Sequence, residues 1–227
     1  MSFRRYALYF LPDDALADFG ATWLGWDVRN GTSVPHPDIP GLPASVEDLT
    51  ATPRRYGLHG TLKAPFRLAD GASEAELSDD LAAFAASTPP ASTGRLVAVR
   101  LSRFLALVPS GEAAPVSELA AGIVEQFDRY RAPLTKEELA RRKPERLSAD
   151  ELRLLERWGY PHVMERFRFH ITLTGPVTEV DGERTLDALA PILRPLCAPR
   201  FVIRDIALVG EGEDGFFRLI RRYPLGG

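Results

Sequence analysis

Cysteine is nearly absent from this 227-residue chain: Cys197 stands alone. One thiol can close no disulfide within the chain and cannot build a thiolate metal centre. Long apolar runs are missing as well. None approaches the roughly 20 residues that a membrane-spanning helix needs, so no membrane partner is expected. Met1 to Phe10 is an apolar-aromatic strand pattern without a signal-peptide cleavage region. With so little cysteine, this points to a cytoplasmic setting. Excess positive charge is absent too: 28 Lys and Arg face 31 Asp and Glu, a net charge of −3. A long nucleic-acid groove shows itself as a basic excess, so long nucleic acid is not an expected partner. A small phosphorylated substrate remains open, because a local cluster of Arg and Lys suffices to hold it. Histidine is scarce, at four. There is no H-E-x-x-H, no H-x-E with paired cysteines and no tight carboxylate cluster, so neither a metal nor another cofactor is expected.

What the chain does contain is a repeated order of elements. Residues 4–11 are aromatic-rich and end at Pro12, which predicts a strand. Leu16, Phe19, Trp23 and Trp26 recur at helical spacing over 13–29. Residues 31–53 hold Pro35, Pro37, Pro40 and Pro43 and read as a long loop, of the kind that serves as a lid or a connector. Residues 55–68 read as a strand. A capping box, Ser73 with Glu76, opens a helix with Leu77, Leu81 and Phe84 on one face. Strands are predicted over 95–101 and 104–108, and a helix over 115–129. Residues 131–160 form a charged helical insertion with two capping boxes, Thr135 with Glu138 and Ser148 with Glu151. The strand over 166–177, a helix over 183–196, and strands over 200–209 and 215–223 complete the chain.

Strand, helix, strand with histidine, helix, strand thus occurs twice, over 4–101 and 104–209, with one strand added. The fold class expected is α+β. It is a bilobal, pseudo-twofold duplicated fold with antiparallel-rich sheets flanking a central cleft. The lobes are built mainly around the strands 55–68 and 166–177, and residues 1–227 form one domain.

The two histidine strands align. Gly57-Leu58-His59-Gly60-Thr61-Leu62-Lys63-Ala64-Pro65 matches Arg168-Phe169-His170-Ile171-Thr172-Leu173-Thr174-Gly175-Pro176. A lone H-x-T arises by chance, but two copies that share Leu and Pro at the same offsets are far more specific. Side chains two apart on a strand share a face, so each histidine has a threonine beside it. Lys63 continues the first row. The apolar residues between them point to the core side. Cleaving a phosphodiester requires a base for the incoming oxygen and an acid for the departing one, and two imidazoles can divide these tasks. Threonine hydroxyls can bond the charged equatorial oxygens of the transition state.

The arrangement resembles the 2H phosphoesterases, bilobal proteins with one H-x-T/S motif per lobe facing a shared cleft. His59-Gly60-Thr61 and His170-Ile171-Thr172 carry the resemblance, which runs from the first strand to the last. The flanks YGLHGTLKAPF and FRFHITLTGPV, with RRYALYF at the start, look most like the branch found near phosphonate-utilisation genes. The resemblance implies acid–base action by His59 and His170, phosphate contact by Thr61 and Thr172, and no metal. Relatives act on 2′,3′-cyclic nucleotides, RNA ends or ADP-ribose cyclic phosphate. In the phosphonate branch the implied substrate is a cyclic phosphate of a phosphorylated ribose. Sequence does not say which histidine is acid and which is base, nor what the oligomeric state is. Two other functions compete: a non-catalytic module that binds a phosphorylated ligand, and an RNA-end ligase or transesterase.

Lys63, Arg168 and Tyr6 are further candidates for substrate contact. Arg55 shares parity with His59 but reads as a solvated strand start. Tyr9 is weighed between cleft and core and placed in the core. Tyr56 points away from His59 by parity. His36 and His162 read as surface or structural residues.

Overall fold

Both faces of the first strand, β1 (Arg5–Phe10), are apolar, as expected of a strand buried inside a sheet. Tyr6, Leu8 and Phe10 enter the main core on one side. Ala7 and Tyr9 join a smaller cluster on the other. The computed structural model describes residues 3–227. After β1 come helix α1 (Ala15–Leu24), the short ladder of β2 (Trp26–Asp27) and β3 (Thr32–Ser33), and helix α2 (Val46–Thr50). The first histidine strand is β4 (Gly60–Phe66), followed by α3 (Glu74–Ser87), β5 (Ala91–Gly94) and β6 (Leu96–Leu101). The second half runs β7 (Phe104–Pro109), α4 (Ala114–Phe127), α5 (Lys136–Arg141), α6 (Ala149–Trp158), β8 (Ile171–Thr172), α7 (Glu179–Leu196), β9 (Arg200–Ile203) and β10 (Asp205–Glu211). The chain closes on β11 (Phe217–Pro224).

Seven strands form one antiparallel sheet in the order β11-β10-β1-β4-β8-β7-β6. Without β11 this order is symmetric about the contact between β4 and β8, the two histidine strands. The halves are also interlocked. The last strand of the first half, β6, pairs with the first strand of the second, β7. The last strand of the second half, β10, returns to pair with β1. Even the small sheet of β5 and β9 takes one strand from each half. The fold is therefore α+β and pseudo-twofold, as the repeated order of elements implied.

Helices cover one face of the sheet. Leu77 and Leu81 of α3, Val116, Leu119 and Ile123 of α4, and Leu189 and Leu193 of α7 fill the main core against Leu62, Leu105, Leu107 and Ile171. The opposite face is open where the histidine strands meet.

The charged insertion forms two short helices, each with both bonds of its capping box in place. Three expectations are corrected. Trp26 is not helical, because Gly25 ends α1 in the left-handed conformation at φ 72°. The Pro-rich stretch contains α2, capped by Ser45. The first histidine strand begins at Gly60, not at Arg55, because Arg54–Tyr56 is a 3-10 turn.

Candidate active site

Gly60 and Ile171 are direct partners where β4 meets β8. In an antiparallel ladder, that register sets His59 opposite Thr172 and Thr61 opposite His170. Opposite residues point to the same side of a sheet, and so do residues two apart. The four side chains therefore form a two-by-two block on one face, with the histidines on a diagonal. Diagonal neighbours lie about 7–8 Å apart. That separation lets two imidazoles reach opposite sides of one phosphorus. The apolar neighbours Leu62, Phe169, Ile171 and Leu173 are buried on the other face and hold the block from behind.

Each histidine is oriented in the same way. Nδ1 of His59 lies 2.9 Å from the carbonyl of Gly57, and Nδ1 of His170 lies 2.8 Å from the carbonyl of Arg168. A carbonyl only accepts, so each Nδ1 carries the proton and donates it. Each Nε2 is left as the reactive nitrogen. Thr61 and Thr172 are half-buried. Among the described residues neither hydroxyl has a hydrogen-bond partner, so both are free to meet a ligand.

The environments differ. Tyr9 stacks on His59 with ring centroids 4.0 Å apart, and the ring of Tyr56 stands 5.8 Å from it. Burial pushes the His59 imidazolium down to a pKa of about 4, against the hydrogen bond to Gly57, which favours the charged form. The charge of His170 adds a smaller push in the same direction. Among the described residues His170 has only Phe104 as an aromatic neighbour, at 5.8 Å, and stands nearer to solvent.

Beyond Tyr56 opens a cavity of about 410 Å³. Its walls come from the start of β1, the 3-10 turn, the second half of β4 and the helical insertion. The Pro-rich stretch 31–53 contributes nothing to its lining.

The remaining candidates fall elsewhere. Tyr6 is buried in the main core on the face opposite the histidines, and its hydroxyl donates to Glu74 at 2.9 Å. It does not reach the site. Lys63 leaves the row of His59 and Thr61. The pairings Tyr9 with Thr61 and Leu8 with Lys63 show an extra residue in β4, a bulge that turns Lys63 out of line. Lys63 is 3% exposed, and its ammonium donates to Asp128 and to the Val124 carbonyl, both at 3.4 Å. Burial lowers its pKa to about 8, partly offset by Asp128. The side chain of Arg168 is exposed, and the backbone carbonyl is the part that touches His170.

Two contacts were missed. Tyr9 belongs to the core, as weighed, yet its ring is also the floor under His59. Tyr56 approaches His59 because the 3-10 turn and Gly57, at φ 69°, cancel the alternation assumed for a strand. His36 caps the carbonyls of Thr22 and Trp23 at the end of α1, and His162 is an exposed neighbour of Glu151.

The paired histidines and threonines stand as one block on a duplicated sheet, an arrangement that can exchange protons and donate hydrogen bonds to one small group. The chain belongs to the family described as "Protein of unknown function (DUF1045)", whose model matches residues 61–218. It is 42% identical over 185 residues to a "Ribose 1,5-bisphosphate phosphokinase PhnN" of Janthinobacterium sp. (strain Marseille), covering 80% of this chain and 41% of that protein. It is 40% identical over 230 residues to the protein of the same name from Laribacter hongkongensis (strain HLHK9), covering 96% of this chain and 51% of that one. The chain thus spans about half the length of these curated relatives, or less. Among solved structures, E. coli LigT complexed with ATP matches over the whole of both chains at 15% identity and a TM-score of 0.44.

Proposed function

We propose that this chain is a metal-independent 2H-type phosphodiesterase that opens a cyclic phosphate on a phosphorylated ribose. The observation that carries this reading is the diagonal pair of imidazoles, each with Nδ1 tied to the carbonyl two residues before it and Nε2 free. His59, kept neutral by burial, is the base: its Nε2 takes a proton from water as the water oxygen bonds phosphorus. His170, better hydrated, is the acid: its Nε2–H protonates the sugar oxygen as the P–O bond breaks. Thr61 and Thr172 donate to the equatorial oxygens, which carry more charge in the transition state than in the ground state. Exchange with solvent restores both rings. The structural symmetry left the roles open, and the unequal burial of the rings assigns them in this reading.

The substrate rests on the names of the curated relatives. Opening a 1,2-cyclic phosphate of ribose 5-phosphate at the 2-oxygen yields a ribose 1,5-bisphosphate, the compound in those names. This also supports a role in phosphonate metabolism, as the resemblance of the motif flanks implies. The kinase activity in the same names finds no support in these residues: no lysine here follows a glycine, as a phosphate-binding G-K-[ST] loop would require.

The test is incubation with a panel of cyclic phosphates in EDTA, reading release of phosphomonoester, with the His59→Ala/His170→Ala double variant as control. Turnover by the wild type alone is expected. If no cyclic phosphate is opened, or if the double variant matches the wild type, the reading fails.

A further inference from the structure

We propose that the cavity beyond Tyr56 is a second anion site, which holds a phosphomonoester of the substrate while a phosphodiester lies at the histidine pair. The two-phosphate substrate rests on the function proposed above; the anion site itself rests on the cavity's own charges. Eight basic side chains and two acidic ones line this space in a chain whose net charge is −3. The acids are already engaged. Glu211 accepts two bonds from Arg5, at 2.6 and 2.8 Å, and Glu138 accepts from Arg67 at 3.2 Å. Lys63 and Arg131 share Asp128. That leaves Arg4, Arg55, Arg141 and Arg142 without an ion pair among the described residues, with Glu138 acting on Arg142 only at longer range.

Arg142 is the key group. The helical insertion carries it to the end of α5, half-buried, with its guanidinium 4.7 Å above the ring of Tyr160. A guanidinium keeps its charge at any physiological pH, so partial burial without a counter-ion is unfavourable until an anion arrives. Its planar fork matches the oxygens of a phosphate. Arg55, with its guanidinium 4.6 Å from the ring centre of Tyr56 and donating to that tyrosine's hydroxyl, provides a second cation from the 3-10 turn.

The position of the cavity ties it to the histidine pair. Tyr56 lines it and stands 5.8 Å from His59. Arg5, Ala7 and Tyr9 share one face of β1. From Tyr9, under His59, to Arg5 in the cavity wall is therefore about 13 Å, at roughly 3.3 Å per residue. A sugar with phosphates on two of its carbons fits within that span. The insertion, absent from the first half of the duplication, would thus be the element that selects a phosphorylated sugar over a plain one.

The experiment measures binding of ribose 5-phosphate, which has no bond for the histidines to cleave, and of ribose, by titration calorimetry. The proteins are the wild type, Arg142→Met, Arg55→Gln and His170→Ala. Arg55 is exposed, so its replacement leaves the core untouched even if Arg142→Met folds poorly. Arg142→Met is expected to weaken ribose 5-phosphate at least tenfold and Arg55→Gln several-fold, with His170→Ala within twofold of the wild type and ribose binding weak throughout. In parallel, a nucleoside 2′,3′-cyclic phosphate is assayed with and without a 5′-phosphate. Arg142→Met should lower kcat/KM at least tenfold for the 5′-phosphorylated compound only. The proposal is overturned if ribose 5-phosphate does not bind the wild type, if both arginine variants bind it normally, or if His170→Ala alone abolishes binding. Arg142-dependent binding without any turnover would keep the anion site and remove the diesterase. Turnover indifferent to the 5′-phosphate in both proteins would do the reverse.

Discussion

A tyrosine ring 4.0 Å from an imidazole sets the working state of His59. Water that would hydrate a charge is excluded from that side, and the imidazolium is disfavoured down to about pH 4. The acidic limb of kcat/KM reports the base, so it should fall near pH 4 and not near 6.5. Tyr9→Ala should move that limb upward and Tyr9→Phe should leave it in place; a limb unmoved by Tyr9→Ala would contradict the role of the ring. The same shift couples folding to pH. Between pH 6.5 and 4 the unfolded chain binds a proton at His59 that the native chain does not, so stability falls as pH falls through that window. At about 1.4 kcal/mol per unit, the loss is at most about 3.5 kcal/mol. Lys63 behaves in the same sense, in a higher pH window. Its folded pKa of about 8 lies below the usual 10.5, so stability rises with pH between those values. Below pH 8 the buried ammonium is a burden that Asp128 offsets only in part, and Asp128 keeps Arg131 at 2.7 Å without it. Lys63→Met should therefore melt at or above the wild-type temperature at pH 7, with the advantage fading by pH 10; a large drop at pH 7 would refute this. At this scale the histidines and threonines were legible from two aligned motifs. The fates of Lys63 and Tyr56 were not, because a bulge and a 3-10 turn each break the alternation on which face assignment depends.

The strand pair at the centre explains why the two motifs differ at their middle residue. A side chain at Gly60 would drive its Cβ into the ring of Phe169. One motif therefore carries glycine so that the aromatic of the other can lie across it, and Ile171 opposite fills the core. Gly60→Ala should destabilise by about 1–3 kcal/mol, the usual range for overpacking, and should lower turnover by shifting the register of the histidine block. Adding Phe169→Leu should recover part of both, as read by thermal melting and initial rates. No recovery would mean that the contact does not set the register. Elements with local signals were readable in advance: α3, α5 and α6 begin at their capping boxes. The extent of the histidine strands was not. The N–H groups of Leu173 and Thr174 both turn to the carbonyl of Leu105, and that of Gly175 turns to Leu49, so β8 stops after two residues. Those partners are distant in sequence and leave no local mark.

At the scale of the molecule, duplication was legible as a repeated order of elements, whereas the exchange of end strands was not. Nothing in β6 or β10 states which half it will join. The exchange places β4 and β8 side by side at the middle of one sheet and sets two histidines, 111 residues apart in the chain (170 − 59), on one diagonal. Net charge likewise hid the basic cavity, because an excess of acids elsewhere outweighs it in the total. Groups that act as a unit on one phosphorus lose their effect together. The most direct test is therefore kcat on a cyclic phosphate of ribose 5-phosphate, in EDTA, for His59→Ala, His170→Ala and the double variant. Each single variant is expected to lose a factor of about 10²–10⁴, with the double variant little worse than the poorer single one. Near-normal turnover in either single variant would contradict a shared site built from both halves.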